Sequence, residues 1–169
     1  MKDEKINHMW SFIFGSRKKR RRDDMIKTLR ATPLFEGLSR RELKVMREIV
    51  HLRTYQEGEF VFSKGQPGAA MFIITEGQVE IVDYDDAGNR TVLATLGKGT
   101  FFGELALLDD SPRSASAVAA KPVKIYSFYR GDFVKLLDSA PRIGTGVYRA
   151  LAMIIGVRLK VANENFINR

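Results

Sequence analysis

The sequence predicts an α+β chain, mainly β, in which a β-sandwich or jelly roll is flanked by N-terminal helices and one long C-terminal helix. Three observations predict it. From His51 onward, short stretches rich in Val, Ile, Phe and Thr follow one another at regular spacing, divided by glycine-bearing turns and without intervening helices. The segments on either side carry apolar residues at helical spacing instead. The chain has 169 residues, 44% of them hydrophobic, which suits one domain with an extension and suffices for a buried core.

The elements follow in order. Ile6, Met9, Trp10, Ile13 and Phe14 fall at i, i+3, i+4, i+7 and i+8, the stripe of an amphipathic helix. An unbroken basic run, Arg17 to Arg22, comes next. Asp23 to Arg30 reads as a short helix ended by Pro33. "PLFEGLSRREL" then turns into a new helix, with Ser39 as N-cap, Glu42 completing a capping box, and Leu43, Met46 and Val50 as its buried face. "EFVF", "MFIIT", "QVEIVD" and "RTVLAT" are strands, with turns at "EG", "KGQPG", "EG" and "DAGN". "GELALLDD" is too short and too helix-prone for a strand and reads as a helix of one or two turns. "SASAVAA" and "KIYSF" return to strand, and "RGDFVKLLDS" to helix. Pro141 opens a last helix in which Val147, Leu151, Ile154 or Ile155, Arg158, Leu159, Ala162 and Phe166 recur on one side.

Composition excludes several chemistries. There is no cysteine, which removes disulfides and thiolate metal sites. His8 and His51 lie far apart without ligand-like neighbours, so no metal site is expected. "GKGT" at Gly97–Thr100 fails as a phosphate loop, because Val92 stands where the first glycine belongs and Gly99 follows the lysine. "SRKK" lies in the basic run without supporting motifs. No other catalytic set is present, and the protein is not expected to be an enzyme. The net charge is +8, yet outside the six-residue run 22 basic residues face 20 acidic ones. No stretch has the roughly 20 apolar residues of a bilayer span, and no secretory signal begins the chain, so a cytoplasmic location is expected.

One stretch carries chemistry. "FFGELALLDDSPRSASA", residues 101–117, holds Glu104 and Arg113 among small residues, with no nucleophile beside them. A short helix starting after Gly103 exposes N–H groups that suit an anion. Arg113 can give two charge-assisted hydrogen bonds to a phosphate, whereas Glu104 only accepts and so suits a hydroxyl. A sugar phosphate has both groups. The plain alternative is a surface ion pair of ~0–1 kcal/mol without function.

The order Phe102-Gly103-Glu104-Leu105-Ala106-Leu107, followed by Pro112-Arg113-Ser114-Ala115, resembles the phosphate-binding cassette of the cyclic nucleotide-binding domain family. That family includes the sensor domains of catabolite activators and of cAMP-dependent kinase regulatory subunits. The likeness extends to "YQEGEFVFSKGQPGAAMFIITEGQVEIVD", whose Gly58, Gly65 and Gly77 fall where the family turns its jelly roll (a double-stranded β-helix), and covers roughly residues 31–169. It implies that Glu104 accepts from the ribose 2′-OH and that Arg113 pairs with the exocyclic phosphate oxygens. Gly103, Leu105, Ala106, Ser114 and Ala115 would line the phosphate pocket, and Ser114 leaves cAMP and cGMP both open as ligand, with no cofactor. "RLKVANENF" is similar to the capping helix of the catabolite activators, which places Ala162 and Asn163 at the base; Ala162 departs from the polar residue of that family. No DNA-reading element is expected after it.

The expected organisation is an amphipathic and polybasic extension over residues 1–30, a nucleotide-binding jelly roll over 31–138 and a lid or dimerisation helix over 139–169. Ligand would shift that last helix and so signal to a downstream protein. Val147, Leu151 and Ile154 offer a face for a homodimer. Residues 6–22 combine an apolar helical face with six cations, which suits an anionic membrane surface and a peripheral location there, whereas DNA is not an expected partner. The contrasting class is a non-catalytic interaction or membrane-recruitment scaffold with a degenerate or unused pocket.

Overall fold

The computed structural model describes residues 20–167; the stripe from Ile6 to Phe14 and the start of the basic run lie outside them. Residues 20–31 form helix α1. A 3₁₀ turn at Pro33–Phe35 leads to α2 at Arg40–Arg47. The capping box forms as the sequence predicts. The Ser39 hydroxyl accepts from the Glu42 N–H at 3.3 Å, and the Glu42 carboxylate accepts from the Ser39 N–H at 2.8 Å.

Eight strands follow: β1 Val50–Tyr55, β2 Phe60–Phe62, β3 Ala70–Glu76, β4 Gln78–Tyr84, β5 Arg90–Gly97, β6 Phe101–Phe102, β7 Ser116–Ala119 and β8 Val123–Tyr129. They form two antiparallel four-stranded sheets, ordered β1-β8-β3-β6 and β2-β7-β4-β5. Helices α3, Arg130–Ser139, and α4, Pro141–Ile167, close the chain. The fold is therefore the predicted jelly roll between helices. β1 and β6 are additional to the strands named above. β1 is an edge strand whose His51, Leu52, Arg53 and Thr54 are all exposed, so it has no alternating pattern to read. β6 has only two residues.

Two cores share one sheet. Ala70, Phe72 and Ile74 of β3 pack between the sheets with Val79, Phe102, Ala117 and Ile125. The alternate residues Met71 and Ile73 face the helices, where they meet Leu29, Phe35, Met46, Phe128, Phe133, Val147 and Leu151. β3 is buried on both faces, which is why "MFIIT" reads as a continuous apolar run.

Val147 and Leu151 are fully buried in the helical core, which corrects their expected part in pairing with a second copy. Helical periodicity marks a buried stripe without saying what buries it, and here the covering surface is the chain's own α3 and 3₁₀ turn. The exposed apolar residues of α4 are Met153, Val157, Leu159 and Val161.

Gly77, in the turn between β3 and β4, has a φ of +83°. A Cβ there would lie 2.2 Å from the Pro122 carbonyl oxygen, against open space at Gly58, whose φ is +82°. Gly77→Ala is expected to cost more than the ~1–3 kcal/mol of positive-φ strain alone, and Gly58→Ala only that strain. Urea unfolding of both variants measures the difference; equal costs would show that Pro122 yields freely.

Candidate functional site

The cassette is short-range geometry held by long-range bonds. Gly103 takes the left-handed region, φ 69° and ψ 22°, and starts a single 3₁₀ turn, Glu104–Leu107, rather than a longer helix. A Cβ at Gly103 would stand 2.8 Å from Arg113 Nη1, so glycine is needed for conformation and for space. The other end of the cassette is clamped by the "KGQPG" turn. The Arg113 N–H donates to the Gln66 carbonyl at 2.8 Å, the Gly65 N–H donates to the Arg113 carbonyl at 2.9 Å, and Pro67 bridges Pro112.

Arg113 is half-buried and held from several sides. Nη1 donates to the Gly103 carbonyl at 3.2 Å and Nη2 to the Ala70 carbonyl at 2.6 Å. The guanidinium lies 4.2 Å from the centre of the Phe62 ring and 5.6 Å from that of Phe72, a cation–π cradle. Phe62, Phe72 and Phe102 themselves pack with ring centres 5.3–6.0 Å apart. Nε is buried and has no hydrogen-bond partner among the described residues. Burial pulls the guanidinium pKa below its ordinary value, and the charge of Glu104 offsets part of that.

Glu104 is only 6% exposed. Its carboxylate accepts from Arg158, which arrives from α4, 54 positions along the chain. The Arg158 guanidinium also lies 5.2 Å from the centre of the Phe101 ring. Glu104 is buried and pairs with Arg158, and among the described residues it forms no ion pair with Arg113, so the plain alternative of a surface Glu104–Arg113 pair does not describe this site.

A cavity of about 520 Å³ joins these groups, within the size range of small-molecule sites. Gly103, Glu104, Leu105, Ala106, Arg113, Ser114 and Ala115 line it together with Phe62, Ile81, Leu96 and Arg158. Ala106 and Ala115 are buried, whereas Leu105 and Ser114 are largely exposed at its mouth. Asn163 is exposed and outside the lining, and the side chain of Ala162 lies outside the described residues. Sequence reasoning passed over Arg158 as a site residue. Its signal was present: a lone cation on the otherwise apolar stripe of α4. The clamp at Gln66 and Pro67 carried no signal beyond that of a turn. Among the described residues no group of three or more His, Asp or Glu side chains gathers as a metal site.

The jelly roll thus gathers a glycine-led turn, a caged arginine and a buried carboxylate around one cavity. The family profile described as "Cyclic nucleotide-binding domain" matches residues 52–140, and the chain belongs to that family. It is 32% identical over 135 residues to the cyclic AMP receptor protein of Thermus thermophilus, covering 80% of this chain and 61% of that protein. It is 43% identical over 101 residues to the cAMP-dependent protein kinase regulatory subunit of Mycosarcoma maydis, covering 60% of this chain and 19% of the subunit. The crystal structure of the N-terminal domain of a transcriptional regulator from Streptomyces coelicolor superposes with a TM-score of 0.71 at 31% identity, covering 82% of this chain and 94% of that one. The chain thus spans less than two thirds of the length of these two curated relatives.

Removing Arg158 leaves a buried carboxylate without its cation. Arg158→Ala is expected to lower stability by about 1–2 kcal/mol, between the values for exposed and buried pairs. Arg149→Ala, on an exposed position of the same helix, is expected to stay within about 0.5 kcal/mol of wild type. Thermal unfolding without added nucleotide tests both, and no loss for Arg158→Ala would show that the pair contributes nothing to the fold.

Proposed function

We propose that the chain is a non-catalytic regulatory module that binds a cyclic nucleotide, cAMP or cGMP, and reports occupancy through α4. The observation that carries the reading is Arg113, fixed at both Nη atoms and with a buried Nε left over, opposite the carboxylate of Glu104 in one cavity. An exocyclic phosphate draws the guanidinium from the Gly103 and Ala70 carbonyls toward the cavity, accepts from one Nη and from Nε, and so compensates a cation already withdrawn from water. Glu104 accepts from the ribose 2′-OH. Gly103, Leu105, Ala106, Ser114 and Ala115 line the phosphate end, the backbone N–H groups facing the anion. Ile81, Leu96 and Phe62 offer the base an apolar wall. Asn163 stands outside the lining and reaches the base only if α4 moves from its present position.

Arg158 ties this site to α4. A ribose hydroxyl that takes an acceptor position on Glu104 competes with Arg158 for the same carboxylate. Nucleotide therefore favours one placement of α4 over another, a population shift. The exposed Met153, Val157 and Val161, spaced i, i+4 and i+8, are the face through which α4 meets a downstream protein or a second copy. The module works in the cytoplasm. The two relatives described above are named for cyclic AMP, which supports cAMP as the first nucleotide to test.

Calorimetric titration with cAMP and with cGMP checks the reading. Saturable binding of at least one is expected, together with an affinity loss of about 100-fold or more for Arg113→Ala, the loss of two charge-assisted hydrogen bonds. Absence of heat and of thermal stabilisation with both nucleotides would sink it and leave the scaffold alternative.

A further inference from the structure

Charge is distributed over this molecule with one pole. Between Arg17 and Lys44 lie eleven basic and four acidic residues, a balance of +7 out of the chain's +8. Residues 45–169, which hold both sheets and the whole nucleotide cavity, carry a balance of only +1. The pole does not end with the linear basic run. In the folded structure Lys27 and Arg30 of α1 meet Arg40 at the start of α2 around one hollow of about 370 Å³ floored by Ile26. All three cations are exposed, and among the described residues none has a carboxylate within ion-pair distance. Asp23 lines the same hollow and offsets part of the charge, and Arg22 lies near enough to Glu48 to help hold its carboxyl below the usual range. Arg20 and Arg21 continue the exposed surface of α1 toward the N-terminus.

We propose that this N-terminal layer is a docking face for an anionic lipid bilayer, formed jointly by Arg20, Arg21 and Arg22 and by Lys27, Arg30 and Arg40 of the folded domain. Charge complementarity selects a polyanion. The sequence just before the run selects lipid over nucleic acid: Ile6, Met9, Trp10, Ile13 and Phe14 share one side of a predicted helix, with an aromatic pair suited to the headgroup boundary. An apolar helical face next to a cationic face supplies the two signals that stable peripheral attachment needs. Among the described residues no helix is long and apolar enough to cross a membrane, so the attachment is by a face. Because Lys27, Arg30 and Arg40 belong to the folded body, they give the domain a set orientation on the surface rather than a tether alone. The basic pole and the nucleotide cavity share no lining residue, so docking leaves the cavity to its ligand.

The test uses the full chain without nucleotide and vesicles of phosphatidylcholine, alone or mixed with phosphatidylserine. Co-sedimentation is expected with the mixed vesicles only, weakening as salt is raised. Trp10 is the one tryptophan of the chain, so its emission reports on this segment directly and is expected to shift to the blue on the mixed vesicles. The triple variant Lys27→Glu, Arg30→Glu, Arg40→Glu is expected to bind about 100-fold more weakly, each basic residue near such a surface contributing on the order of a few-fold in affinity. Circular dichroism and thermal unfolding verify that its fold is intact, and if the triple variant is unfolded the single variant Arg30→Glu replaces it, with a loss of several-fold. Equal sedimentation with both vesicle types, or none, overturns the proposal. So does wild-type affinity in the charge-reversed chain, or tighter binding to a DNA duplex of arbitrary sequence with no shift of Trp10 emission. These outcomes are independent of nucleotide binding, so either reading can fail without the other.

Discussion

The guanidinium of Arg113 is where the separate parts of this fold act on one another. It joins the carbonyl of Gly103 in the cassette to that of Ala70 at the head of β3, and it lies between the rings of Phe62 on β2 and Phe72 on β3. These segments belong to both sheets, so one side chain pins the cassette across the sandwich. Taking a cation out of water is costly unless its donors find acceptors, and the lowered pKa of Arg113 records that cost. Two donors are satisfied and Nε is not. The fold therefore leaves one buried donor of this cation without an acceptor, on a side chain that lines the same cavity as Glu104.

Preorganisation of this kind depends on backbone that does not yield. Gly103 occupies a conformation and a volume that other residues cannot, and the 64–68 turn holds Pro112 and Arg113 by backbone hydrogen bonds that no side-chain choice can replace. β3 carries the load of both cores, sending alternate side chains to the sheets and to the helices. Helix α4 rests on the second of these cores through Val147 and Leu151, and farther along it reaches the cavity through Arg158. A change at Glu104 is thus felt by a helix whose first half is anchored and whose far half exposes apolar residues. The Arg158–Glu104 pair is the link between that helix and the cavity.

How much was legible follows from the range of each interaction. The capping box of α2 spans four residues and reads directly from Ser39 and Glu42. The glycines of the turns and the long apolar run of β3 are equally local, since turn geometry and strand pleat depend on near neighbours. Edge strand β1 was not legible, because exposure on both faces removes the alternation that marks a strand. The two residues of β6 exist as a strand only by pairing with Phe72 and Ile73. Val147 and Leu151 were legible as a buried stripe but not as to what buries them.

The sequence by itself determined the order of the helices and of six of the eight strands, the residue types of the cassette and the excess of positive charge between Arg17 and Lys44, because residue type and local spacing decide all three. The tertiary structure alone decided that Arg158 meets Glu104, that Gly65 and Gln66 clamp Arg113, and that Lys27, Arg30 and Arg40 share one hollow. Each of these joins residues well apart in the chain, and their meeting depends on how α4, the β2–β3 turn and the N-terminal helices pack. Local sequence sets which contacts would be favourable, and only the packed chain sets which of them are made.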